Sequence, residues 1–271
     1  MKLLSTPARI VVGLCMAVGL VILYVPLLLI VLNSFNSSRT FSFPPPGFTL
    51  QWWVDAFHSR GAADALATSV IAGLCASAIA LVLGTMAAFA VQRFRFFGRQ
   101  SINFLVVLPI TLPGIVTGIA LASTFTTVLG PVGVTLGLAT VIIGHATFCI
   151  VIVYNNVQAR LRRMGTSLEE ASGDLGARGW QTFLWVTLPQ VRGALAAGVL
   201  LAFALSFDEI VVTTFTAGPA VQTLPIWIFQ NLFRPNQAPV VNVVAAVLTI
   251  LAIIPVWISQ RLAGDSVSSR V

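Results

Sequence analysis

Asp208 and Glu209 lie side by side within a long apolar run, and chemistry is easiest to imagine at these two acids. A carboxylate in the middle of a membrane costs about 2.5–3.5 kcal/mol on insertion scales and faces a water-filled cavity or a partner charge. The run that holds them, about 193–215, offers no basic residue at their depth. Counted from Gly193 at ~1.5 Å per residue, Asp208 lies roughly 22 Å along a helix. The compensating cation must then be a group on another subunit, a proton or a transported cation. Neighbouring helical residues point ~100° apart, so one of the two acids is expected to face a pathway, and Asp208 is the choice. The structural alternatives are an ion pair with a partner subunit, or a helix that ends early and leaves both acids in water. Trp227 and Phe229, in a short apolar stretch further on, carry ring faces suited to cations, although core packing is the commoner fate of such residues.

The remaining reactive side chains point away from catalysis. His58 and His145 are 87 positions apart, no H-E-x-x-H or Ser/His/Asp constellation is present, and no metal site is expected. His145, the histidine within an apolar run, is expected to hydrogen-bond a neighbouring helix and not to line a cationic pathway. Cys15, Cys75 and Cys149 all sit in apolar runs and read as small packing residues. Lys2 is the only lysine, so the chain lacks the P-loop lysine that holds nucleotide phosphates, and energy from ATP would have to enter through a partner. No cofactor is expected on the chain itself.

The elements that must carry these residues follow from composition. Of 271 residues, 57% are hydrophobic and 8% charged, with a mean hydropathy of +0.96. Soluble domains carry roughly 25% charge, so this polypeptide needs lipid as its solvent. Apolar runs at about 10–32, 65–91, 102–128, 138–157, 193–215 and 240–262 predict six transmembrane helices in a single all-α domain over 1–271. The first run has no small-x-small cleavage pattern at its end and is expected to stay as an anchor. With six spans both termini share one side, which collects 12 of the 15 basic residues, so both termini are expected in the cytoplasm. That asymmetry accounts for the net charge of +7 without nucleic acid.

Proline and tryptophan shape the connections. Pro44-Pro45-Pro46-Gly47 must turn or extend, and Leu50–Phe57 with Trp52 and Trp53 suits a short interfacial helix. Pro109 and Pro113 predict a kinked or interrupted third span, either lining a pathway or letting neighbouring helices approach through small residues. The loop at 158–192 holds three of the eight acids. Thr166 with Glu169, or Ser167 with Glu170, has capping-box spacing, and Gly176 suits the residue after the helix end. A second helix from Trp180 to Thr187 is expected to stop at Pro189, making a helix–turn–helix knob at the membrane surface.

Glu170-Ala171-Ser172, Gly176, Val186 and Leu188-Pro189 stand at the spacing of the EAA loop, and this pattern resembles the permease subunits of bacterial ABC importers. Ser172 and Val186 depart from the usual alanine and isoleucine. The likeness extends to Asn33–Asn36, Pro109–Gly118 and Leu205–Val212, and resembles the second permease of the spermidine/putrescine branch. It implies a type I importer fold in the bacterial inner membrane. It also implies that Glu170, Ala171, Ser172, Asp174, Gly176, Leu188 and Pro189 couple to an ATPase; Asp208, Glu209 and Trp227 remain the residues that charge and ring chemistry offer for a substrate pathway. The implied partners are a second permease, two ATPase subunits carrying ATP and Mg, and a periplasmic solute-binding protein. An ABC permease for another small solute and an ion-coupled secondary transporter are the alternatives.

Overall fold

The computed structural model describes residues 5–234 and 236–251; it is helical, with a single isolated bridge between Asn36 and Phe48. The helices are α1 (Thr6–Asn33), α2 (Gln51–His58), α3 (Arg60–Arg93), α4 (Arg99–Thr111), α5 (Gly114–Ser123), α6 (Leu138–Arg163) and α7 (Ser167–Asp174). They are followed by α8 (Gly179–Thr182), α9 (Leu188–Phe207), α10 (Val211–Thr216), α11 (Leu224–Leu232) and α12 (Ala238–Leu251). Four stretches are long and apolar enough to cross a membrane: Pro7–Asn33, Arg60–Arg93, Leu138–Arg163 and Gly179–Phe207. The pair Arg99–Thr111 and Gly114–Val128 makes a fifth if it is one span, and it is bent by 106°. The second half of the expected sixth span, 252–262, lies outside the described residues.

The bend follows from Pro113, which caps α5 at φ −56° and ψ 133°, and from Leu112 before it, whose extended ψ of 144° is the conformation a residue preceding proline prefers. The chain divides into two compact units, one of residues 64–227 and one made of the flanking segments up to Ala63 and from Ile228 on. In the flanking unit α1 presents its apolar side chains outward along its length, as a lipid-solvated helix should. At its end Asn36 Nδ2 donates to Asn33 Oδ1 (3.0 Å) and Ser42 Oγ (2.8 Å), and Trp52 Nε1 of α2 donates to the Asn36 carbonyl (2.8 Å). Phe35 stacks on Trp53 at 5.1 Å.

In the 64–227 unit α6 is the core. Val141, His145, Cys149, Val153, Tyr154, Val157 and Leu161 are fully buried; six of them recur every four residues, which keeps them along one helical face. The helix packs against α9, α10 and α4. α3 approaches through Gly84, where a Cβ would fall 2.8 Å from the Ile150 carbonyl, so a larger residue would force the two helices apart. Cys149 Sγ reaches the Ala202 carbonyl at 3.3 Å, in line with a packing role, whereas Cys15 and Cys75 are exposed on apolar helices.

Two expected boundaries shift. α6 runs six residues beyond 157, because Gln158 and Leu161 are still buried and Arg160, Arg162 and Arg163 suit the negative end of the helix. Pro189 does not stop a helix. The chain is helical from Gly179 to Phe207, with a wider turn at Phe183–Thr187 in which Leu188 N–H bonds the Phe183 carbonyl five residues back. That extra residue in the turn relieves the collision between the proline ring and the preceding turn.

Candidate functional site

The knob expected from the loop is built by α7 and α8. α7 ends in a Schellman turn: Ala177 N–H bonds the Ser172 carbonyl (3.1 Å), Gly176 N–H bonds Gly173 (2.8 Å), and Gly176 takes φ +83°. The Ser172 hydroxyl pairs with Thr182 Oγ1 at 3.0 Å and ties α7 to α8, so the departure from alanine gains a bond in this chain. Glu170, Ala171, Asp174 and Gly176 are exposed, Leu188 is half-buried, and Pro189 is exposed where the knob joins α9. Around them Leu168 (58% exposed), Leu175 (90%), Trp180 (58%) and Trp185 (78%) point outward. Together with the two acids these side chains form an exposed, largely apolar patch on the knob.

The capping box does not form, since the Thr166 side chain makes no capping bond. The Glu169 carboxylate is taken by Arg93 at the end of α3. Arg93 Nη2 donates to Glu169 Oε1 at 3.1 Å, Nε lies 3.0 Å from Oε2, and Thr187 Oγ1 adds a third contact at 3.1 Å. An ion pair with a charge-assisted hydrogen bond from Nη2 outweighs a single backbone cap. The pair lines a cavity of about 580 Å³ beneath the knob, with Phe89 and Phe183 in edge contact at 5.5 Å. Arg93 and Thr187 were invisible as site residues in the sequence. Seventy-six positions separate Arg93 from Glu169, and no local pattern joins them.

At ~1.5 Å per residue the 29 residues from Gly179 to Phe207 reach about 43 Å, so Asp208 lies at the opposite end of this helix from the knob. The expected span 193–215 is broken there. Asp208 caps the C-terminus of α9, Glu209 and Ile210 are non-helical, and α10 begins at Val211. The helix ends early, as one alternative has it, but without leaving both acids in water: Asp208 is exposed and Glu209 is half-buried. The two acids do different work. Glu209 Oε1 accepts the Val212 N–H at 2.8 Å and so caps α10, while the Asp208 carboxylate is exposed. Trp227 is 5% exposed within α11, so its ring presents no open face, unlike Phe229 at 60%.

His145 bridges the break. Its Nδ1 lies 2.7 Å from Ser206 Oγ on α9 and its Nε2 2.8 Å from Thr213 Oγ1 on α10, with the ring fully buried. This is the neighbouring-helix role expected for it. A second cavity of about 260 Å³ follows the bend between α4 and α5, lined by Pro109, Thr117, Thr124 and Thr147.

Comparison with known proteins accords with this geometry. Residues 80–268 match the family described as binding-protein-dependent transport system inner membrane component. The chain is 33% identical over 251 residues to the putrescine transport system permease protein PotI of Escherichia coli K12, covering 92% of this chain and 88% of that one. It is 32% identical over 243 residues to the spermidine/putrescine transport system permease protein PotC of the same strain, covering 90% of each. Among solved structures, a bacterial ABC transporter involved in the import of the acidic polysaccharide alginate superposes with a TM-score of 0.70 at 17% identity, over 97% of this chain and 98% of that one. With a matching family region covering most of its length and a type I importer fold, this chain belongs to the inner membrane components of binding-protein-dependent transport systems and is a multi-pass permease subunit.

Proposed function

We propose that this permease serves an ATP-driven importer of polyamines, forming the translocation pathway with a second permease while one of two ATPase subunits docks on the α7–α8 knob and a periplasmic solute-binding protein delivers the substrate. The observation that carries the proposal is the likeness to two polyamine permeases along about nine-tenths of the chain. The exposed acids and apolar side chains of the knob support docking of a soluble partner, and a sequence whose one lysine is Lys2 supports the reading that ATP and Mg belong to that partner. The basic residues support an orientation with the knob and both termini in the cytoplasm.

In this reading ATP-driven closure of the ATPases moves the knob, the Arg93–Glu169 pair passes that movement to α3, and the helices alternate access to a central pathway. Asp208, exposed at the far end of α9, attracts ammonium groups by charge. The test is uptake of labelled putrescine and spermidine into proteoliposomes that hold this chain with its co-purifying partners. Uptake that requires ATP supports the proposal. Uptake driven by an ion gradient without an ATPase, or ATP-dependent uptake of other solutes only, would overturn it.

A further inference from the structure

A third cavity, of about 610 Å³, opens where the turn after α3 meets the first turn of α4 and the end of α6. Arg99 of α4 and Arg162 of α6 both line it. Among the described residues the one ion pair is Arg93–Glu169, so neither of these guanidinium groups has a carboxylate within 4.0 Å. Gln100 and Ser101 also line it, and their N–H groups fall in the first turn of α4, where no intrahelical acceptor exists. The floor is rigid. Asn103 Oδ1 accepts from both the Tyr154 hydroxyl and Gln158 Nε2, and Gln158 also donates to Tyr154, so a buried network locks α4 to α6 beneath the two arginines.

The rim is apolar. Phe97 is fully exposed and Phe96 is 39% exposed, while Phe104 and Leu105 further along α4 are 63% and 59% exposed. Half-buried Arg99 and exposed Arg162 on the lining of one open cavity, neither paired with a carboxylate, favour an anion there, and planar guanidinium groups fit phosphate oxygens in pairs. Aromatic residues and arginines at the ends of apolar helices are the make-up of a membrane interface, and basic pockets there hold anionic headgroups. We infer that this cavity binds the phosphodiester headgroup of an anionic phospholipid, with the acyl chains lying along the exposed face of α4. The headgroup would lie in the leaflet on the knob side of the protein. That this leaflet is the cytoplasmic one rests on the orientation proposed above; the binding itself does not.

The test is native mass spectrometry of the detergent-purified complex titrated with dioleoyl phosphatidylglycerol or dioleoyl phosphatidylcholine. The wild type is compared with the double variants Arg99→Gln/Arg162→Gln and Arg99→Lys/Arg162→Lys. The expected result is one phosphatidylglycerol adduct retained by the wild type, about tenfold weaker binding in the glutamine variant and partial retention in the lysine variant. Phosphatidylcholine should not replace it, and millimolar inorganic phosphate should not displace it. Equal retention by wild type and glutamine variant would overturn the inference. Displacement by inorganic phosphate would do so too, by assigning the cavity to a free anion, and so would loss of a co-purifying subunit with unchanged lipid, by assigning the arginines to a protein contact. Size-exclusion profile and thermal midpoint establish that the variants are folded. The readout uses neither uptake nor ATP hydrolysis, so its failure and that of the proposed transport function are told apart.

Discussion

His145 Nε2 lies 2.8 Å from Thr213 Oγ1, and this bond joins the core helix α6 to the segment beyond the break in the fifth span. The Thr213 hydroxyl donates to the Glu209 carbonyl at 2.8 Å, so it must accept from Nε2–H; the other ring nitrogen is then free to accept from Ser206. One imidazole thus ties α9 to α10 across the break, where the backbone bonds of Asp208 and Glu209 run back to α9 and the Ile210 carbonyl is bonded by Thr214 of α10.

Replacing His145 with Leu should leave two buried hydroxyls without this partner and cost about 1–3 kcal/mol. The triple variant His145→Leu/Ser206→Ala/Thr213→Val should recover part of that loss, because it removes the orphaned polar groups as well. Thermal midpoints in detergent decide this, and a triple variant less stable than the single one would count against the network.

The Arg93–Glu169 pair is expected to matter for both stability and coupling, its side chains being 13% and 19% exposed. Arg93→Met or Glu169→Met alone leaves a charge without its partner and should cost about 2–4 kcal/mol, while the double methionine variant should be closer to wild type. A double-mutant cycle read by thermal unfolding tests the pair, and ATP hydrolysis stimulated by the binding protein shows whether it carries the signal.

At Gly176 strain and bulk are separable. Its φ of +83° should make Ala cost about 1–2 kcal/mol and Asn less, yet a Cβ there meets nothing within 4 Å. Gly176→Trp should therefore destabilise the fold no more than Gly176→Ala but abolish stimulation of the ATPase by blocking docking. Intact stimulation in the tryptophan variant would remove the knob from the docking surface.

The two acids at the break should fail in different ways. Asp208→Asn is expected to lower polyamine uptake several-fold with the thermal midpoint unchanged. Glu209→Gln keeps an acceptor for the Val212 N–H but loses the charge at the start of α10, which should cost a few tenths of a kcal/mol to about 1 kcal/mol and leave uptake nearly intact. Uptake and stability measured on the same preparations separate the two roles.

Much of this arrangement was legible before any coordinates. Proline at 113, the glycine after α7 and the short helix at Gln51–His58 act through the backbone of their own segment, and their outcome depends little on what surrounds them. The features that were misread are those settled by competition between distant groups. Glu169 had a capping partner three residues away, yet Arg93 from another helix offered two charged contacts in place of one neutral one. Pro189 taken with its own segment predicts a stop, but packing of α9 on α6 favours a continuous helix, and a wide turn absorbs the clash.

The sequence by itself determined the solvent, the helical class and the position of the knob, because hydropathy, charge asymmetry and turn chemistry are properties of contiguous residues. Only the tertiary structure decided which of two neighbouring acids is free and which caps a helix. It alone decided that one histidine closes a break, and that two arginines 63 positions apart face one cavity. Those outcomes depend on which side chains meet across helices, and contacts between segments far apart in the chain leave no periodic trace along it.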